Sequence, residues 1–139
     1  MNVTEDSQPV VLVVDIANVM GSRPDGWWRD RAAAATCLLA ELEVVDGAEV
    51  AAPTGVGTVR ILAVHAVVEG AAKHVPSTAA VTVVSAPRDG DNEIVEEARR
   101  LSAGGTTALV VTADRGLRAR LPEPALVAGP GWLNRLLGR

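Results

Sequence analysis

Residues 10–14 read Val-Val-Leu-Val-Val and stop at Asp15. A continuous β-branched run of this kind suits a strand covered on both faces, because a strand with one wet face alternates apolar and polar residues. Strands covered on both faces belong to parallel sheets, whose crossover helices lie on each side. Further apolar runs at residues 59–68, 81–85, 108–112 and, more briefly, 125–128 repeat the signal. Between several of them lie helical patterns. Trp28, Ala32, Ala35, Leu39 and Leu42 follow helical spacing, with Asp25 or Gly26 as N-cap. Ile94, Ala98 and Leu101 share one face of a helix over 93–101, residues 114–121 make a short helix, and Pro130 opens a last one ending near Leu137. Gly47, Pro53, Gly55 and Gly57 mark a loop over 44–58. With no tight hairpin turn, right-handed crossovers then give a three-layer α/β sandwich around a mainly parallel sheet. Residues 1–8 are expected to be a flexible tail and residues 9–139 a single domain.

The 139 residues are 48% hydrophobic and 22% charged, a balance that supports one buried core rather than disorder. No apolar run approaches the roughly 20 residues of a membrane span, and the opening MNVTEDSQP has no basic stretch leading into an apolar one. The expectation is a cytoplasmic protein without a membrane partner. A single cysteine, Cys37, forms neither an intramolecular disulfide nor a thiolate cluster, and His65 and His74 are too far apart to pair on a helix. Any metal is therefore expected to be held by oxygen. A net charge of -4 argues against a broad basic surface for non-specific nucleic-acid binding.

Parallel strands deliver their carboxyl ends to one edge, where such folds place ligands. Asp15 follows the first run, Glu69 the second, Asp89 and Asp91 come soon after the third, and Asp114 after the fourth. Carboxylates crowded at one edge repel one another unless a cation intervenes, so a converging cluster favours Mg²⁺ or Mn²⁺. The competing reading makes Asp89, Asp91 or Asp114 a helix N-cap, a common role for Asp. Asn18 and Thr112 are placed to orient a carboxylate or a water, or else to serve a local turn and a strand end.

The segments VLVVDIANV, GDNEIVEEA and VVTADRGLRARL, taken in order, resemble the signature segments of PIN-like nucleases, particularly their NYN branch. The resemblance spans residues 10–121. It implies a PIN-like domain that cuts RNA, with Asp15, Asp91 and Asp114 around Mg²⁺ or Mn²⁺ and Asn18, Asp89 and Thr112 in support. Glu69 is added from its place at a strand end. Arg23, Arg29, Arg88 and Arg115 flank the same edge as candidate phosphate contacts. With no Phe or Tyr, only Trp27, Trp28 and Trp132 can stack on unpaired bases; Trp132 reads as core, and one of Trp27 and Trp28 as lining a groove.

The expected function is thus a metal-dependent ribonuclease acting on single-stranded RNA, with a homodimer compatible. Rival readings remain. A haloacid-dehalogenase-type phosphatase wants a second Asp where Ala17 stands. A receiver-type module wants an Asp where Ser85 and Ala86 follow the third run and a late Lys, whereas the only Lys is Lys73. A catalytically silent PIN-like module that binds RNA or protein fits the same motifs.

Overall fold

In the computed structural model the described residues are 7–23, 26–69, 76–87 and 89–139. Strand β1 (Ser7–Asp15) leads directly into helix α1 (Ile16–Gly21), and a 3-10 turn at Trp27–Arg29 precedes α2 (Arg31–Leu42). There follow β2 (Glu49–Ala51), β3 (Thr58–Val68), β4 (Val81–Ser85), α3 (Gly90–Ala103), β5 (Ala108–Val111), α4 (Arg115–Arg120), β6 (Leu126–Ala128) and α5 (Pro130–Leu137). The strands join in the order β2-β3-β1-β5-β6, with β4 also on β3. Because β3 is long, it pairs antiparallel with β2 at its start and parallel with β4 at its end. All other pairings are parallel.

Alternation along β1 feeds two cores. Val10, Leu12 and Val14 pack with Ile16, Val19, Leu38, Leu39, Leu42 and Leu133 from α1, α2 and α5. Val13 faces the other way, onto Ile94, Val95, Ala98 and Leu117 from α3 and α4. This is the three-layer α/β sandwich that the apolar runs imply, consistent with a PIN-like fold. The direction of chain travel explains the helix placement: from β1 the chain moves to β3 and β4 on one side, then crosses back to β5 and β6, and right-handed crossovers in opposite directions put their helices on opposite faces.

Four local features differ from the sequence expectations. The strand begins at Ser7, which is buried, so residues 7 and 8 belong to the sheet and not to a tail; residues 1–6 lie outside the described part. Helix α1 is too short for its periodicity to stand out from the strand before it. The helix expected from Trp28 onward is divided, because the Asp30 carboxylate accepts from Ala33 N at 3.0 Å and starts α2 there; the alternative cap Asp25 is outside the described residues, and Trp28 is 52% exposed. Finally, the loop over 44–58 contains the edge strand β2, whose three residues fall below the length at which alternation is legible.

Candidate active site

The strand order reverses between β1 and β5, and in open α/β sheets ligands bind in the crevice outside the carboxyl ends of strands at such a point. Asp15 is the last residue of β1 and Thr112 is the first after β5. Their side chains meet across the reversal: the buried Thr112 hydroxyl donates to Asp15 Oδ2 at 2.9 Å. Asp15 Oδ1 accepts from the backbone N–H of Asn18 at 3.3 Å, which caps α1. Thr112 Oγ1 in turn accepts from Asp114 N at 3.1 Å, and Asn18 Oδ1 from Ala113 N at 2.8 Å. The loop after β5 is thereby fastened to the first turn of α1, and Asn18 acts by positioning that loop.

The remaining acids divide by what their oxygens do. Both Asp89 oxygens serve Asn92, one accepting from its backbone N–H at 2.9 Å and the other from its side-chain amide at 3.1 Å, so Asp89 is the N-cap of α3. Asp114 caps α4 through Oδ1, which accepts from Leu117 N at 3.0 Å. Glu69, just after β3, accepts from Gly90 N. A Cβ on Gly90 would lie 2.9 Å from Glu69 Oε2, so glycine permits this approach. Asp91, in the first turn of α3, makes no hydrogen bond among the described residues.

Asp15 is 7% exposed, and burial pushes its carboxyl up to about 6; the bonds from Thr112 and Asn18 oppose this, and the charges of Asp91 and Glu69 reinforce it. Burial also raises Asp91, followed by the charges of Asp114, Asp89 and Glu69, with Arg120 acting against them. The acidic cluster is therefore felt as charge, Asp91 and Glu69 acting on Asp15, and Asp114, Asp89 and Glu69 on Asp91. It is not present as a cage: among the described residues no three His, Cys, Asp or Glu side chains are grouped to hold one ion. All-oxygen donors in this arrangement fit Mg²⁺ or Mn²⁺ that keeps most of its water and takes one or two carboxylates directly.

Of the arginines expected at this edge, Arg115 opens α4 beside Asp114 and is exposed. Arg23 follows α1 and lines a cavity with Trp27 instead, Arg29 lies over the Trp28 ring at 6.0 Å, and Arg88 is outside the described residues. Trp132 is core, its Nε1 donating to Ala51 O at 3.1 Å. Two arginines that sequence reasoning missed brace the site. Arg118 donates to the Thr112 carbonyl through Nε and a terminal nitrogen, at 2.9 and 2.6 Å, and Arg120 bonds Asn92 Oδ1 between α4 and α3. Their spacing in RGLRAR carries no mark that separates them from Arg115.

Thr112→Val keeps the side-chain shape but removes the donor to Asp15 and the acceptor for Asp114 N. A loss of about 1–3 kcal/mol is expected in denaturant melts, from the buried groups left unpaired. If Asp15 binds metal, cleavage should also fall about 10–100-fold, the usual cost of removing a partner that orients a ligand.

The fold defines a three-layer α/β protein with an acidic edge at its strand-order reversal. No family model matches the sequence, and no curated protein matches it. Among solved structures it is similar to a crystal structure of a mutant of Rae1 (YacP) from Bacillus subtilis, with 20% identity, a TM-score of 0.66, and 93% of this chain and 75% of that one covered. At that identity the likeness establishes the shared fold.

Proposed function

We propose that this chain is a metal-dependent ribonuclease of the PIN-like, NYN type, hydrolysing phosphodiester bonds of single-stranded RNA with Mg²⁺ or Mn²⁺. The observation that carries the reading is the Asp15–Thr112 pair at the strand-order reversal, set in the common field of Asp91 and Glu69. One or two of Asp15, Asp91 and Asp114 would hold the ion directly and the rest through its waters. Bound there, it supplies a water of lowered pKa and stabilises charge on the attacked phosphate.

The chain's own residues prepare that chemistry. Thr112 and the Asn18 N–H fix both Asp15 oxygens, so this carboxylate is pre-oriented, while Asp91 has no competing hydrogen bond to break. Asp114 Oδ1 holds α4, while its second oxygen makes no hydrogen bond among the described residues. Arg115 offers a guanidinium fork to a phosphate beside these acids. Covalent catalysis finds no support: Cys37, on α2, lines a cavity that includes none of these carboxylates.

Incubation of purified protein with single-stranded RNA is expected to give cleavage in Mg²⁺ or Mn²⁺ that stops with chelator and falls about 10²–10³-fold in Asp91→Asn. The lack of a three-ligand group favours a second reading, a silent RNA-binding module. RNA binding without metal-dependent cleavage would establish that reading instead, and cleavage persisting in chelator would remove the metal from the proposal.

A further inference from the structure

A cavity of about 350 Å³ lies by the C-terminal end of α1, between α1, the Gly26–Arg29 turn and α2. Met20, Arg23, Trp27, Arg29 and Arg139 are among its walls. Its two carboxylates are already engaged: Asp30 caps α2, and Glu41 pairs with Arg139 at 3.3 Å. Arg23 and Arg29 have no carboxylate partner among the described residues. With three guanidiniums, of Arg23, Arg29 and Arg139, against the carboxylates of Asp30 and Glu41, the cavity carries a small net positive charge in a chain of net charge -4.

Among its lining residues Trp27 is the one aromatic side chain, and Trp28 stands next to it outside the lining. Trp27 packs against the core, with Arg31 over its ring at 5.5 Å, and meets Trp28 edge-on at 6.0 Å between centroids and 86° between planes. Trp28 is largely exposed and carries Arg29 against its ring. The contacts with Trp27 and Arg29 leave about half of the Trp28 side chain open to a ligand. Flat apolar faces interleaved with unneutralised guanidiniums match a ligand that is both aromatic and anionic.

We infer that Arg23, Trp27, Trp28 and Arg29 form a subsite for one unpaired nucleotide of a nucleic-acid strand, the base against the indoles and its phosphate on the arginines. This rests on the ribonuclease reading for the identity of the strand. Helix α1 has six residues, about 9 Å of axial rise, and Asp15 caps its start while Arg23 follows its end. That span corresponds to two or three stacked nucleotides at about 3.4 Å each. A strand crossing the acidic edge would then be held by a cationic aromatic grip beside it, which answers how an acidic protein retains RNA.

The test uses a fluorescein-labelled single-stranded oligouridylate decamer, titrated into the full chain in chelator so that no cleavage occurs, with uridine 5′-monophosphate as a second probe. Trp28→Ala alters an exposed side chain and is expected to weaken decamer binding about tenfold or more. Arg23→Gln with Arg29→Gln should lower the slope of log affinity against log salt by about one unit. Circular dichroism and melting temperature, unchanged in both variants, would show that the fold is retained. Affinity and salt slope equal to those of the natural chain overturn the subsite. Loss of monophosphate binding alone, with the decamer unaffected, also overturns it, since the pocket would then serve a free nucleotide. The cleavage assay in Mn²⁺ reads the nuclease proposal separately, so a pocket that binds in chelator survives an inactive acidic edge.

Discussion

Asp15→Asn is expected to cut metal-dependent RNA cleavage by about 10²–10³-fold while leaving the metal-free fold at least as stable as before. The two effects have one origin. Burial raises the Asp15 carboxyl to about 6 in the folded chain against 3.8 for the free group. Between those values the unfolded chain has already released the proton and the folded chain still holds it, so this group's contribution to stability falls as pH rises through the window and is level above it. At 1.36 kcal/mol per unit the full loss is about 3 kcal/mol. Denaturant melts in chelator at pH 4 and pH 7 should show the natural chain losing this amount relative to the Asn variant. If Asp15 were only the cap of α1, Asn would cap nearly as well. The pH difference, which comes from burial, would be the same, but the cleavage rate would not move.

Leu12→Ala should have the largest effect on folding. Leu12 is fully buried at the middle of the central strand, packed in the core beneath α1 and α2. Removing such a side chain costs about 2–5 kcal/mol, the loss of transfer energy plus the residual cavity. Leu62, on β3 and 48% exposed, supplies the matched control, with a loss below about 1 kcal/mol. Urea midpoints at unchanged slope measure both. Equal losses at the two positions would contradict the assignment of β1 to the core. Because Leu12 and Asp15 share β1, incomplete repacking should also loosen the Asp15–Thr112 bond, and a higher cleavage requirement for metal would report it.

The large architecture was legible because burial on both faces leaves a continuous apolar run in β1 and β5, and 59–68 and 81–85, only partly buried, kept enough apolar residues to read as strands as well. The central helix was readable from Ile94 and Ala98, and the last from Pro130, which stands at its first turn. Short elements were not. The six residues of α1 follow β1 without a break in hydrophobicity, and β2 sits within a glycine-rich stretch. This mattered for the site, since α1 carries Arg23 away from the acids. Strand ends told which carboxylates share an edge, but not which oxygens remain open. That depends on capping geometry: Asp89 is saturated by Asn92, whereas Asp91, two residues on, is unbonded. The distances between acids on different strands depend on register and loop length, which no single segment encodes.

Metal binding at the acidic edge is tested most directly by thermal melts of the natural chain and Asp91→Asn, each with and without Mn²⁺. Without metal the variant should melt at the same temperature or higher, since the charges of Asp114, Asp89 and Glu69 that burden Asp91 no longer act on it. Binding to the folded form alone adds about 2.7 kcal/mol at a hundredfold excess over Kd, so Mn²⁺ should raise the natural chain's melting temperature by several degrees. The variant should lose most of that gain. Equal small shifts in the two proteins would contradict a metal at this edge, and the proposed nuclease chemistry with it.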